Sequence, residues 1–182
     1  GLGASVTPDA PDLTGAMDVF QVQRAAGLRP LGDSLEKNFP AWRLDAKDTA
    51  IWNIEKGAQL SADDIMQAEA TRSKIYARAV EFFQHYDVLI LPAAQVPPFA
   101  ASEEWVKQIN GVKMQTYLDW MAVCCMITVT GLPAISVPAG FTKSGLPVGL
   151  QIVGRPRGDL ALLQIAQLFE DATRHYETAP AL

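Results

Sequence analysis

Apolar residues along the first half of the chain recur at helical spacing. From Asp12 onward, Leu13, Ala16, Met17, Phe20 and Ala25 lie near one helical face, which predicts a helix with Gly27 as its stop. "DAKDTAIWNIEKG" predicts a shorter helix with an acidic first turn and Gly57 at its far end. The clearest helix is "SADDIMQAEATRSKIYARAVEFFQHY". Ser61 stands as N-cap with Asp64 placed for a capping box, and Ile65, Ala68, Ile75, Ala79, Phe82 and Tyr86 form one buried face. That helix runs into "YDVLILP", where the apolar run Val88 to Leu91 predicts a strand buried on both faces, with a sheet neighbour on each side.

A Pro-rich loop, "PAAQVPPFA", follows, of the kind positioned at a site rather than packed in a core. "KMQTYLDWMAVCCMITV" then predicts an apolar helix enclosed by other elements. In "TGLPAISVPAGFTKSGLPVGLQIVG", Gly131 permits close backbone approach, Pro133 begins a strand over Ala134 to Val137, and "KSGLP" turns the chain into a second strand. The link of about nine residues is shorter than a parallel crossover needs, so the pair is expected to be antiparallel. "GDLALLQIAQLFEDATRH" closes the pattern as an amphipathic helix, with Asp159 as cap and Leu160, Leu163, Ala166 and Phe169 inward. The order predicts an α/β layered domain. Residues 1–86 are mostly helical, and residues 87–182 supply a strand, a helix, a strand pair and a helix. Three strands make a thin sheet for such a chain.

Composition narrows the class. With 182 residues, 49% of them hydrophobic and 19% charged, the chain is long enough to bury the core of one globular domain. A formal net charge of −5 with scattered Lys and Arg argues against a nucleic-acid partner. No apolar run reaches the roughly 18 residues that span a bilayer, and the N-terminus lacks a basic segment followed by an apolar one. A cytoplasmic protein without a membrane partner is expected. Cys124 and Cys125 are adjacent, without C-x-x-C spacing or a neighbouring His, and read as buried reduced thiols rather than metal ligands. No metal or cofactor is expected. The sequence opens on Gly1 as if within a domain, as a processed or truncated start would.

Candidate chemistry is sparse. The two histidines, His85 and His175, lie toward helix ends, and no G-x-S-x-G elbow occurs, which argues against a Ser-His-Asp triad. "SLEK", Ser34 to Lys37, matches S-x-x-K without its companion motifs and reads better as an N-cap serine with a solvated lysine. Ser136 sits in a strand. Asp63 with Asp64, and Glu103 with Glu104, are expected at helix starts, where carboxylates favour the dipole. Gln151 differs, because an amide between Leu150 and Ile152 in a buried strand must find partners or cost about 1–3 kcal/mol. Bracing of a loop and orientation of a site residue both explain it.

"YDVLILP", "TVTGLPAISVPAGF" and "GLPVGLQIVGRPRGD" followed by "LLQIAQLFEDAT" resemble the C-terminal half of the amidase signature family, closely from Tyr86 to His175 and loosely before. The resemblance implies a single α/β/α layered domain with a mixed β-sheet flanked by helices, of which residues 1–182 would be the C-terminal portion. It implies hydrolysis of a small-molecule amide by a serine nucleophile, a bridging serine and a lysine base, all supplied by the N-terminal half. This chain has no Gly-Gly or Ser-Ser pair, so no catalytic residue is assigned within it, and the chain alone is expected to be inactive. Its expected partners are that missing half, the amide substrate and, as a further candidate, a second copy in a homodimer. In the family the helix before G-L-P-A lines the substrate pocket, which implies Met121 and Cys125 as pocket walls with Trp120 nearby, and Gln151 and Gly131 as supports. The Pro-rich loop, Pro92 to Pro98, would approach the mouth of the site. The related A-type component of the tRNA-dependent amidotransferase carries an acid where this chain has Met121, a departure that argues for an apolar or aromatic acyl group and against glutamine. The alternatives are a non-catalytic binding or assembly domain on the same scaffold and an A-subunit-like part of such an amidotransferase.

Overall fold

The computed structural model describes residues 3–180. Helix α1 (Ala16–Asn38) runs past the expected stop, with Gly27 and Pro30 both inside it. Helix α2 (Asp48–Gln59) likewise contains Gly57 rather than ending there. The reason is helix packing. A Cβ on Gly57 would lie 2.2 Å from the Ala25 carbonyl oxygen, and one on Gly32 would lie 2.3 Å from Ile54 Cγ2. These glycines let the two backbones touch, and the tertiary contact outweighs their poor helix propensity.

Helix α3 (Ala62–Phe82) starts as the sequence predicts. Ser61 Oγ accepts the Asp64 N–H at 3.1 Å, and Asp64 Oδ2 accepts the Ser61 N–H at 2.8 Å. Ala68, Ile75 and Ala79 are buried, whereas Ile65 is exposed and Phe83, not Phe82, completes the inner face. Tyr86 stacks on Phe82 and donates its hydroxyl to Asp9.

The sheet has the order β1-β5-β4, with β1 (Val88–Pro92), β4 (Ala134–Phe141) and β5 (Pro147–Gly154) all paired antiparallel. The strand pair predicted from the short link is therefore present, and β4 continues beyond Val137. Pro138 is tolerated because β4 is an edge strand, and the ladder is irregular from Pro138 to Phe141. Strand β1 departs from expectation. It lies at the other edge, so Val88 to Leu91 has one sheet neighbour among the described residues, and Ile90 is 48% exposed.

Alternation along β5 separates two cores. Val153 packs with Ala79, Phe83, Ile127 and Leu132 on the α3 side. Ile152 packs with Val137, Leu162 and Ala166 on the side of α5 (Asp159–Thr173). The sheet thus lies between helical layers, with α1 stacked outside α3 through Ala16, Val19 and Ile75. Helix α5 is turned from its expected orientation: Leu162 and Ala166 are buried, while Leu160 is 71% and Leu163 55% exposed. Its N-cap is Gly158 rather than Asp159, and Leu162 fills the space above Gly154.

The long helix expected after Lys113 is replaced by shorter pieces. A two-residue hairpin, β2 (Gln108–Ile109) with β3 (Val112–Lys113), is followed by a 3₁₀ turn over Asp119–Met121 and helix α4 (Ala122–Thr130). The Asp119 carboxylate accepts the N–H groups of Gln115 and Thr116 at 2.7 and 2.8 Å and holds that stretch as a turn ahead of α4. No helix of the described residues is long and apolar enough to cross a membrane.

The α1–α2 contact yields a signed expectation. Gly57→Ala replaces a poor helix former with one better by roughly 1 kcal/mol, yet the backbone clash at the Ala25 carbonyl, at the upper end of the roughly 1–3 kcal/mol that overpacking costs, is expected to lower stability by about 1–2 kcal/mol net. A urea midpoint that stays put or rises would contradict the close helix contact.

Candidate functional site

The chain leaves β1 at Pro92, and Ala93 prolongs the ladder by donating its N–H to the Gly149 carbonyl at 3.0 Å. The Pro-rich loop then folds over the start of β5 and the 3₁₀ turn, enclosing a cleft of about 490 Å³. Its walls are apolar, with Val96, Pro98, Phe99, Trp120 and Val148 the main contributors. Phe99 meets Trp120 edge to face, with ring centroids 5.3 Å apart.

Two side chains pin the loop to α4. Gln95 Oε1 accepts the Val123 N–H at 3.0 Å, and Cys124 Sγ donates to the Ala93 carbonyl at 2.9 Å. The segment leading to Trp120 is held from the helical side. Tyr117 Oη accepts from Arg24 Nε at 3.1 Å and from the buried amide of Asn53, which also donates to the Thr49 carbonyl.

The five residues singled out from sequence fall in different places. Trp120 lines the cleft, and its Nε1 is buried without a partner. Met121 is the half-buried N-cap of α4 and is not among the residues lining the cleft. Cys125 is buried in α4, 4% exposed. Gln151 sits on β5 opposite Leu91 and Ser136, on the sheet face turned toward α3, with its Nε2 buried and unpartnered. Gly131 ends α4 in the left-handed conformation, φ 67°, with the Arg72 guanidinium 3.3 Å from where a Cβ would stand. It serves the turn into β4 and lies outside the cleft lining.

Burial, followed by the neighbouring Cys124, pushes the Cys125 thiol up to about 11, and burial raises Cys124 as well. Both are neutral thiols near pH 7 and poor nucleophiles. The other hydroxyl and imidazole groups are no better placed. Ser34 is inside α1 rather than at a helix start, accepting from Asn38. Ser136 Oγ lies above Gly149, and no hydrogen bond joins it to a lysine or histidine among the described residues. His175 packs against Gly140, and His85 is exposed after α3. Asp63 and Asp64 occupy the first turn of α3 as expected, whereas Glu103 and Glu104 lie in a loop. No group of three or more His, Cys, Asp or Glu among the described residues is arranged to hold a metal. The arrangement can hold an uncharged group against aromatic and proline surface, and these residues supply no activated nucleophile for it. Sequence reasoning passes over Gln95 and Phe99. No local signal marks Gln95, because the sequence places the helix start at Lys113 and its partner Val123 lies 28 residues away.

The thiol environment has a pH consequence. A folded-state value near 11 against an ordinary 9 means that Cys125 contributes stability in full below pH 9, and that this contribution falls as pH rises toward 11. Denaturant titrations should show that decline, flattened in Cys125→Ala. Iodoacetamide at pH 8 should leave Cys125 unmodified in the folded chain, and rapid labelling there would refute the burial.

A family model described as Amidase matches residues 17–163. Among curated relatives, the A-type component of the glutamyl-tRNA(Gln) amidotransferase of Symbiobacterium thermophilum is 38% identical over 117 residues, covering 64% of this chain and 22% of that protein. An acylamidase of Rhodococcus erythropolis is 29% identical over 184 residues, covering 99% of this chain and 38% of that protein. The chain therefore spans well under half the length of these relatives. Among solved structures, a bacterial aryl acylamidase of the amidase signature enzymes superposes with a TM-score of 0.78 at 24% identity, over 97% of this chain and 36% of the other. A 6-aminohexanoate cyclic dimer hydrolase gives 0.80 at 21% identity, over 98% and 40%. At these identities the likeness shows a shared α/β fold.

Proposed function

Because the chain belongs to the Amidase family, we propose that it is the C-terminal portion of an amidase signature hydrolase, cleaving a carboxamide C–N bond through an acyl-enzyme. The observation that carries this reading is a built apolar cleft without a nucleophile. Trp120 and the Pro-rich loop enclose space for an uncharged group, while no serine of the described residues is bonded to a lysine or histidine. The unpaired outer edge of β1 offers a place for a further strand. In the whole enzyme a serine from outside this chain attacks the carbonyl carbon, the C–N bond breaks with protonation of the leaving ammonia or amine, and water hydrolyses the resulting ester. Backbone N–H groups stabilise the two tetrahedral oxyanions.

Within this chain the roles are those of walls and supports. Trp120 lines the acyl pocket, while Met121 and Cys125 stand behind it at the head of α4 without lining the cleft. Gln151, its amide N–H groups lacking a partner, orients or braces the adjoining catalytic segment, and Gly131 sets the turn that brings β4 under it. The neutral thioether of Met121 and the aromatic cleft favour an apolar or aromatic acyl group. Similarity to an acylamidase over nearly the whole chain supports this reading. A second reading, part of an A-type amidotransferase component, draws on the higher identity to such proteins over a shorter stretch.

The purified chain alone is expected to release no ammonia from benzamide, and the protein translated from the complete reading frame is expected to do so. Turnover by the chain alone would overturn the assignment of the nucleophile. Hydrolysis of glutamine in preference to benzamide by the complete protein would favour the second reading.

A further inference from the structure

We infer that Gln95 is a positioning residue: by capping helix α4 from outside, it holds the Pro-rich wall at a fixed distance from Trp120 and so sets the width of the group that the cleft accepts. The contact stands on geometry, while its catalytic consequence rests on the hydrolase reading above.

The first turn of a helix leaves N–H groups without intrahelical partners, and a side-chain acceptor at the N-cap normally takes the second or third of them. At the head of α4 the N-cap is Met121, which makes no side-chain cap bond. Val123 is the second helical residue, and its N–H is taken by an amide 28 residues earlier in the chain. Helix and loop thereby depend on each other.

The loop has few other means of support. Pro92, Pro97 and Pro98 carry no N–H, so the loop cannot build a ladder of its own. Ala93 is tied to β5 and to Cys124 at one end, and Phe99 rests on Trp120 at the other. Between Ala94 and Pro98, the Gln95 bond is the one hydrogen bond among the described residues. These residues also form the wall facing Trp120 and Val148. Loss of the Gln95 acceptor frees that wall to swing between its two anchored ends, and the cleft widens without any change at Trp120.

The test uses amide hydrogen exchange and kinetics, both on the complete enzyme. Gln95→Leu keeps bulk without an acceptor and is expected to speed exchange at Val123 by about fivefold, the usual effect of a lost cap, with the first turn of α3 unchanged. Gln95→Glu places a carboxylate at the helix N-terminus and is expected to retain the protection. In the complete enzyme, Gln95→Leu should raise KM for benzamide about three- to tenfold while kcat stays within about twofold, as loss of uniform binding does, and Gln95→Glu should restore it. Unchanged exchange at Val123, or acceleration spread equally through α3, overturns the inference, as does a fall in kcat at constant KM. A complete protein inert toward benzamide, with Val123 released as expected, upholds the clasp and sinks the hydrolase reading instead.

Discussion

Strand β5 is hydrogen-bonded on both sides, and the strict alternation of its side chains decides what every other layer touches. Val153 and Gln151 face α3 and α4, while Ile152 and Leu150 face α5. A shift of one residue would exchange those sets and bury the amide of Gln151 among the leucines of α5. The register is held from both directions, since β1 and β4 each match their apolar positions to those of β5. The cleft follows from the same pairing. Its floor is the Pro147–Gly149 end of β5, and its wall begins where Ala93 makes one more ladder bond before the prolines forbid another.

The polar groups are organised around that frame in two ways. Where the chain must be irregular, side chains supply the missing backbone partners, as Asp119 does before α4 and Gln95 does at its head. Where polar atoms lie within the sheet layers, satisfaction is incomplete. The Nε1 of Trp120 and Nε2 of Gln151 are buried donors without acceptors, each an expected cost of about 1–3 kcal/mol. Natural folds keep few such groups: Trp120 Nε1 lies at the cleft and Gln151 Nε2 on the α3 face of the sheet, while Trp42 Nε1 and Arg78 Nε, also without partners, lie away from it.

Local chemistry is legible in the sequence, and long-range contact is not. Ser61 and Asp64 announce their capping box because both partners lie within one helical turn. The antiparallel β4–β5 pair is legible because a short link leaves no other geometry. Gly57 reads as a stop because nothing local distinguishes a terminating glycine from one that admits a neighbouring helix backbone. The inward face of α5 misleads for a related reason: its leucines outnumber the positions the sheet can cover, and Gly154 selects Leu162 by fit. At the site, Trp120 is legible by its place before α4, but the loop residues around it come together only through Gln95, whose partner is remote in sequence.

The two rims of the sheet differ in how they would meet a stranger. Along β4, Pro138 offers no N–H and the irregular stretch to Phe141 bends the strand, so a second chain finds no continuous template there. Strand β1 carries no such guard: its run of Val88, Leu89, Ile90 and Leu91 is uncharged, regularly paired to β5 and without a strand on its outer side among the described residues. Edge-to-edge association between copies of the chain should begin at β1, and a lysine at Ile90 would be the natural guard against it.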